Sequence, residues 1–314
     1  MENKYKVGLV GAGSIAEIAH LPILAKREDV EMTGVMALHI ESAMKAKQKH
    51  SIKHAVATLP ELIDLGIDCA FVLSPKDCHP RQVIELLNAG IDVFCEKPMG
   101  CNLREMEEMA NTAERTGKTL MIGFNRRYSP VYRKAKELYG NTTPDVIIAQ
   151  KNRPASEYRA TLENAIHMVD LLRYFCGECT HIEAHSIYKD PYYETLTTAQ
   201  LQFENGTIGI LVADRASGQW IETFQMHGKN RTVTVDCPDS ITIVDSKESH
   251  TTNMTPLAMG WARVEDKMGF QAEDDHFFDC LKHNKTPLTN AADAFKTHEL
   301  MHRILQIAGL PDLA

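Results

Sequence analysis

No apolar stretch among the 314 residues reaches the ~18 consecutive positions that a membrane-spanning helix needs, so no membrane partner is expected. Basic runs are also missing. Lys and Arg total 34 against 42 Asp and Glu, a formal net charge of −8, which leaves no global attraction for nucleic acid or an anionic membrane surface. Met1 to Lys6 is polar and charged and an apolar run follows at once, so no leader is expected. The eight cysteines are scattered, several of them, such as Cys69 and Cys95, inside apolar segments. That usage suits a reducing, cytoplasmic compartment better than a disulfide framework. Internal repeats, low-complexity segments and long linkers are not seen. What remains is an ordinary globular balance, 44% hydrophobic and 24% charged, long enough for two domains that each bury a core.

The first third alternates short apolar runs with helical patterns. Tyr5 to Val10, Val30 to Leu38, Ala70 to Leu73, Asp92 to Cys95 and Thr119 to Gly123 read as strands, with helix patterns between them. This is the signature of βαβ units around a doubly wound parallel sheet, an α/β domain over residues 1–123. The pattern then changes. Val131 to Tyr139 and Leu162 to Phe175 read as helices, His181 to Val244 as successive strands, and Ala272 to His283 and Asn290 to Ala308 as closing helices. Glu204-Asn205-Gly206 is a hairpin signal. Residues 124–314 are therefore expected to form an α+β domain with a mostly antiparallel sheet and helices on one face. Its other face would carry apolar side chains, Leu201 with Phe203 and Ile208, Ile210 and Val212, and would seek a partner; a homodimer or higher homo-oligomer is expected.

Gly11-Ala12-Gly13-Ser14-Ile15-Ala16 directly follows the first strand and opens a helix, matching G-x-G-x-x-G/A. Gly11 permits the tight turn, Gly13 lets a pyrophosphate approach the backbone, and the small Ala16 lets helix and strand pack closely. The N–H groups of Ser14, Ile15 and Ala16 would face the phosphates. Strand, turn and helix together predict a nicotinamide dinucleotide, NAD or NADP. A tight turn without ligand is the bland alternative. The acidic residue expected about 20 positions on is absent: Ala37 and Leu38 stand there, followed by His39. With no carboxylate to repel a 2′-phosphate, NADP is favoured over NAD; His39 and Lys45 are the nearby candidate cations.

Cys95-Glu96-Lys97-Pro98 follows a strand and so lies at the carboxyl end of the sheet, where α/β proteins bind ligands. Lys97 there either donates a proton or hydrogen bond to a ligand hydroxyl or is a surface lysine. Further on, Glu163, His167 and Asp170 are spaced i, i+4, i+7, within roughly 60° of one another on an ideal helix. Two carboxylates beside one imidazole would fix its tautomer and raise its pKa, as suits a general base; the alternatives are a solvated stripe or a core histidine satisfied by Asp170.

These segments together resemble the Gfo/Idh/MocA family of sugar and polyol oxidoreductases: Gly11 to Ala16, Ser74-Pro75 with His79, Ala89-Gly90 with Glu96-Lys97-Pro98, Met121 to Pro130, and His167 with Asp170. Within it the chain is most similar to the MviM-like "virulence factor" group. The resemblance implies that Lys97 acts beside the nicotinamide, that Ser74, Pro75 and His79 line the cofactor groove with Glu96, and that His167 carries a proton in the substrate pocket. At the crossing into the second domain, Asn125 and Arg126 are candidate cofactor contacts; Arg126-Arg127 either meet a phosphate or substrate or only lie at the domain interface. Where the family shows D-x-G-x-H, this chain has Glu163 for the aspartate and Ala165 for the glycine before His167.

Other signals carry less. Cys176 and Cys179 form a C-x-x-C after a helix end, without the further ligands of a zinc site. His298 and His302 lack the H-E-x-x-H context, and Trp261 reads as packing or pocket lining. No metal is expected. The function read from the sequence is an NAD(P)-dependent oxidoreductase acting on a secondary alcohol or ketone of a small sugar or polyol. The alternatives are a dinucleotide-binding regulator without turnover and a lyase or hydrolase that oxidises its substrate transiently.

Overall fold

Alternation of strand and helix patterns over the first 123 residues becomes a six-stranded sheet in the computed structural model, which describes residues 4–139, 142–154, 159–190, 193–254 and 263–310. Its strands are β1 (Tyr5–Val10), β2 (Val30–Met36), β3 (His54–Val56), β4 (Cys69–Val72), β5 (Asp92–Glu96) and β6 (Leu120–Gly123), in the order β3-β2-β1-β4-β5-β6. Every pairing is parallel. The strand order reverses between β1 and β4; β4 and the stretch Val7 to Val10 of β1 are apolar and buried, as covering both faces of a parallel sheet requires. Local chemistry sets the helix ends. Thr58 and Glu61 form a reciprocal capping box at helix Leu59–Asp64, and Asn102 caps helix Leu103–Thr116, which Gly117 ends at φ 66°.

The chain divides into two units, Met1–Gly123 with Phe270–Phe295, and Phe124–Gly269 with Lys296–Ala314. The sequence reading put all of 124–314 in the second domain, whereas residues 270–295 lie in the first unit. Helix Phe270–His283 belongs to the first unit because its aromatic side chains complete that core. Phe277 meets the Phe71 ring edge-on at 5.4 Å, and Phe278 stacks on Phe71 at 6.0 Å. Burying two such rings contributes about 1.5–3 kcal/mol each.

The second unit holds an eight-stranded sheet: β7 (Val146–Asn152), β8 (Cys179–Asp190), β9 (Tyr193–Phe203), β10 (Ile208–Asp214), β11 (Ile221–Gly228), β12 (Arg231–Asp236), β13 (Ser240–Asp245) and β14 (Ser249–Asn253). The order is β14-β13-β12-β11-β7-β10-β9-β8, antiparallel throughout except for β7 against β10. Helices Pro130–Tyr139 and Ile166–Cys176 supply Val131, Tyr132, Val169 and Leu172 to a core shared with Ile147, Leu211, Phe224 and Val233.

Strand alternation corrects one expectation here. Leu201 and Phe203 do not share the outer face with Ile208, Ile210 and Val212; they are 0% and 3% exposed in the core. Leu201 pairs with Gly209, a core-facing position on β10, and a side chain at Gly209 would come within 2.9 Å of the Phe203 ring. The half-exposed face instead carries Ile148 of β7 beside Ile210 of β10, with Val146, Ile208 and Val212 around them. Trp261 lies outside the described residues. Among the described residues no helix is long and apolar enough to cross a membrane.

Candidate functional site

In the first unit the glycine turn closes β1 at the point where the strand order reverses, the position where open α/β sheets bind ligands. Gly11 has φ 104°, and a Cβ there would lie 2.8 Å from the Leu73 carbonyl carbon and the Ser74 nitrogen. Only glycine fits. At Gly13 an added Cβ would meet nothing within 4 Å, so the backbone faces open space that a phosphate could approach. Ala16 is fully buried, in keeping with close packing of helix on strand. The helix begins as a π-helical turn, Ala16–His20, a form often found at functional sites, and continues as Leu21–Leu24. These features fit a dinucleotide pyrophosphate.

At the end of β2, Ala37 is buried, Leu38 is 91% exposed and His39 is exposed before helix Ile40–His50. Nearby, a cavity of about 600 Å³ is lined by Met36, Thr58, Leu59, Asp77, Arg81 and Glu85, among others. Arg81 is a cation that sequence reading did not single out.

Ser74 donates its hydroxyl hydrogen to Gln82 Oε1 at 2.5 Å. His79 is 1% exposed and lies under this loop, with Nε2 2.8 Å from the Ser74 carbonyl and Nδ1 2.9 Å from the Pro98 carbonyl. Burial holds this imidazole below its ordinary pKa, with the two carbonyls pulling the other way. It ties the Ser74-Pro75 loop to the Glu-Lys-Pro turn. Glu96 is 6% exposed, and its Oε2 accepts the Lys97 backbone N–H at 3.0 Å; Lys97 itself is half-buried.

In the second unit Asn125, Arg126 and Arg127 lie in a buried 3₁₀ turn. Arg126 donates from Nε and Nη2 to the two Glu222 oxygens at 2.5 and 2.9 Å, and Lys151 Nζ closes on the same carboxylate. Burial disfavours the Glu222 charge, but the two cations outweigh it and hold the carboxyl far below its usual range. Lys151 shows the converse. Burial and then the Arg126 charge lower its pKa to about 7, against the pull of Glu222. Arg127 donates in bidentate fashion to Asp170 at 2.8 and 2.5 Å, and Thr297 donates to Asp170 Oδ1 at 3.0 Å. Both guanidiniums thus lie on buried carboxylates.

The helix bearing His167 differs from the ideal spacing. Residues Ala160–Ala165 form a π-helical turn, and the α-helix proper is Ile166–Cys176. Glu163 is therefore wound in a wider i→i+5 turn, and its Oε2 accepts the Arg159 backbone N–H at 2.8 Å. His167 and Asp170 share the α-helix, with His167 5% exposed and 6.4 Å edge-on from the Phe124 ring. Residues that sequence reading missed are Lys151 and Glu222 here, and His20 and Asp274 in the first unit. Lys151 did leave a signal: it follows Ile147 and Ala149 on the buried side of β7. Of the discounted motifs, Cys176 is buried and burial pushes its thiol up to about 12, which argues against a redox dithiol.

A doubly wound parallel sheet with a dinucleotide-type glycine turn, joined in sequence to an antiparallel sheet domain, defines the class of two-domain, NAD-binding oxidoreductases. Residues 5–124 match the oxidoreductase family with an NAD-binding Rossmann fold, Gfo/Idh/MocA, and residues 140–234 match the Gfo/Idh/MocA C-terminal domain. The chain belongs to the Gfo/Idh/MocA oxidoreductase family. It is 26% identical over 309 residues to YceM of Salmonella typhimurium, named as an oxidoreductase, covering 95% of this chain and 96% of that protein. It is 28% identical over 251 residues to myo-inositol 2-dehydrogenase of Thermotoga maritima, covering 71% and 74%. Among solved structures the fold is similar to that of the dehydrogenase MviM from Clostridium difficile, with a TM-score of 0.86, 24% identity, and 96% and 99% of the two chains covered.

Proposed function

We propose that the protein is an NAD(P)-dependent dehydrogenase or reductase that interconverts a secondary alcohol and a ketone on a sugar, polyol or derivative. The observation that carries this is the pairing of Gly11 and Gly13, whose geometry fits a pyrophosphate, with Lys97 held half-exposed at the carboxyl end of the same sheet. Similarity to myo-inositol 2-dehydrogenase supports the substrate class. Bound nicotinamide supplies the hydride acceptor or donor. Lys97 and His167 carry the hydroxyl proton, Asp170 anchors Arg127 beside the His167 helix, and Glu163 secures the start of that helix through the Arg159 N–H. Ser14, Ile15 and Ala16 hold the phosphates through backbone N–H groups, and Ser74, Pro75, His79 and Glu96 shape the groove, with Asn125 and Arg126 at the crossing. At the adenosine end, Ala37, Leu38 and His39 offer no carboxylate to a 2′-phosphate, so NADP is taken at least as well as NAD. The outer sheet face around Ile148 and Ile210 joins protomers into a homo-oligomer, and the protein works in the cytoplasm.

The test is a panel of sugars, inositols and their oxidised forms followed by nicotinamide absorbance with NAD and with NADP. Lys97→Ala and His167→Ala each lower turnover by ~10²–10⁴, the range for general acid–base groups, while cofactor affinity changes little. Turnover unaffected by both substitutions would overturn the assignment.

A further inference from the structure

His20 ends the π-helical turn that follows the dinucleotide glycines, and it is fully buried. Its ring sits among Phe94, Phe71 and Phe270, with centroids at 5.1, 5.7 and 5.7 Å. An apolar cage of this kind would ordinarily hold a neutral imidazole. Yet both ring nitrogens meet carboxylates: Nδ1 is 2.9 Å from Asp274 Oδ1 on helix Phe270–His283, and Nε2 is 3.2 Å from Glu96 Oε1 on β5. Two ionised carboxylates, one on each nitrogen, are both satisfied when both nitrogens donate, and their charge favours the imidazolium. Burial opposes that charge, but Asp274 and Glu96 outweigh it and raise the pKa to about 10. The other Glu96 oxygen accepts the Lys97 backbone N–H at 3.0 Å. Opposite Glu96 on β6 stands Gly123, where an added Cβ would come within 3.3 Å of the Glu96 carboxyl carbon; the strand leaves room for this one side-chain position.

We propose that His20 is a positioning residue for Lys97: held by Asp274, it fixes the Glu96 carboxylate, and the carboxylate fixes the Lys97 backbone. The hydrogen-bonded chain runs from the cofactor-binding turn to the proton-carrying lysine within one unit of the fold. A buried, charge-assisted support of this kind locks the rotamer of the group it holds. This role rests on reading Lys97 as the proton carrier, but it can be measured apart from that reading.

The test uses the full chain and needs no substrate. Lysines are labelled with trace acetic anhydride from about pH 7 to about pH 10, below the ordinary lysine pKa, and the Lys97 peptide is compared by mass spectrometry with those of the exposed Lys45 and Lys134. In His20→Asn the pH dependence of Lys97 labelling shifts relative to wild type, the two control lysines do not change, and NADH titration shows the dinucleotide site intact. Asp274→Asn keeps the imidazole and removes only its charged anchor; it gives the same shift and decides the matter where His20→Asn does not fold. For a substrate found by the panel, kcat falls by up to ~10²-fold, the cost of a displacement near 1 Å, at unchanged cofactor affinity. Lys97 labelling identical to wild type in a folded variant overturns the positioning role, whatever Lys97→Ala does. Full turnover by Lys97→Ala, with the labelling shift present, overturns the proton-carrier reading and leaves the positioning in place.

Discussion

Ala37 and His20 carry the predictions that belong to single side chains. Ala37 is buried at the end of β2, where a carboxylate would repel a 2′-phosphate. In Ala37→Asp, like-charge repulsion weakens NADP relative to NAD by ~1–3 kcal/mol in such a semi-buried place. Isothermal titration with both cofactors measures it, and a wild type preferring NAD by about tenfold, some 1.4 kcal/mol, would reject the NADP preference. His20 has its folded pKa raised from 6.5 to about 10, so the native state keeps a proton that the unfolded chain has lost between those values. Its contribution to stability is full below about pH 6.5 and is lost as pH rises toward about 10. Melting temperatures over that window are therefore expected to fall further in wild type than in His20→Asn, so that the gap between them narrows with pH. A gap that stays constant or widens would mean that the ring is neutral in the fold. The glycine turn, the missing acid after β2 and the Glu-Lys-Pro segment were all legible in the sequence, because each depends on residue type at a local position. His20 was not, since its partners are 76 and 254 positions away.

At the scale of elements, one departure from ideal helix geometry and one buried charge on a strand stand out in the second unit. The π-helical turn at Ala160–Ala165 breaks the 100° step on which the Glu163–His167–Asp170 stripe depends. Glu163 is freed to bond the Arg159 N–H, while Asp170 takes Arg127. Strand β7 carries Lys151 into the interior, where Glu222 on β11 meets it and also binds Arg126 on the 3₁₀ turn. Glu222→Gln leaves the buried Arg126 cation facing a neutral amide and removes the charge that helps Lys151 keep its proton. It is predicted to cost ~3–5 kcal/mol, as breaking a buried ion pair from one side does, and urea unfolding measures the loss. A change below about 1 kcal/mol, the scale of an exposed pair, would show that the cluster is hydrated and not buried.

For the whole molecule, the proposed oligomer rests on the outer face of the second sheet. Ile148 and Ile210 are cross-strand partners there, half-exposed at the centre, and Gln225, Gln200 and Thr198 stand on the strands at either side. An apolar centre with a polar surround is the usual make-up of a protein–protein interface. Ile210→Asp places a charge at that centre and is predicted to convert the oligomer to monomer in light scattering, with the melting temperature of the monomer little changed. A wild type that is monomeric at micromolar concentration would reject the oligomer.

Sequence by itself determined the two sheet types, the glycine turn and its ligand class, and the family, since each is written in local period, turn chemistry or motif. Tertiary structure alone decided the rest. It returned helix Phe270–His283 to the first unit, where Phe277 and Phe278 complete the aromatic packing on Phe71. It sent Leu201 and Phe203 to the core through their register with Gly209. It also chose the partners of the buried charges: Asp170 with Arg127, Glu222 with Arg126 and Lys151, and His20 with Asp274 and Glu96. The physical reason is common to all three. A buried charge requires a partner, and which partner reaches it depends on how distant segments pack, not on the neighbours it has along the chain.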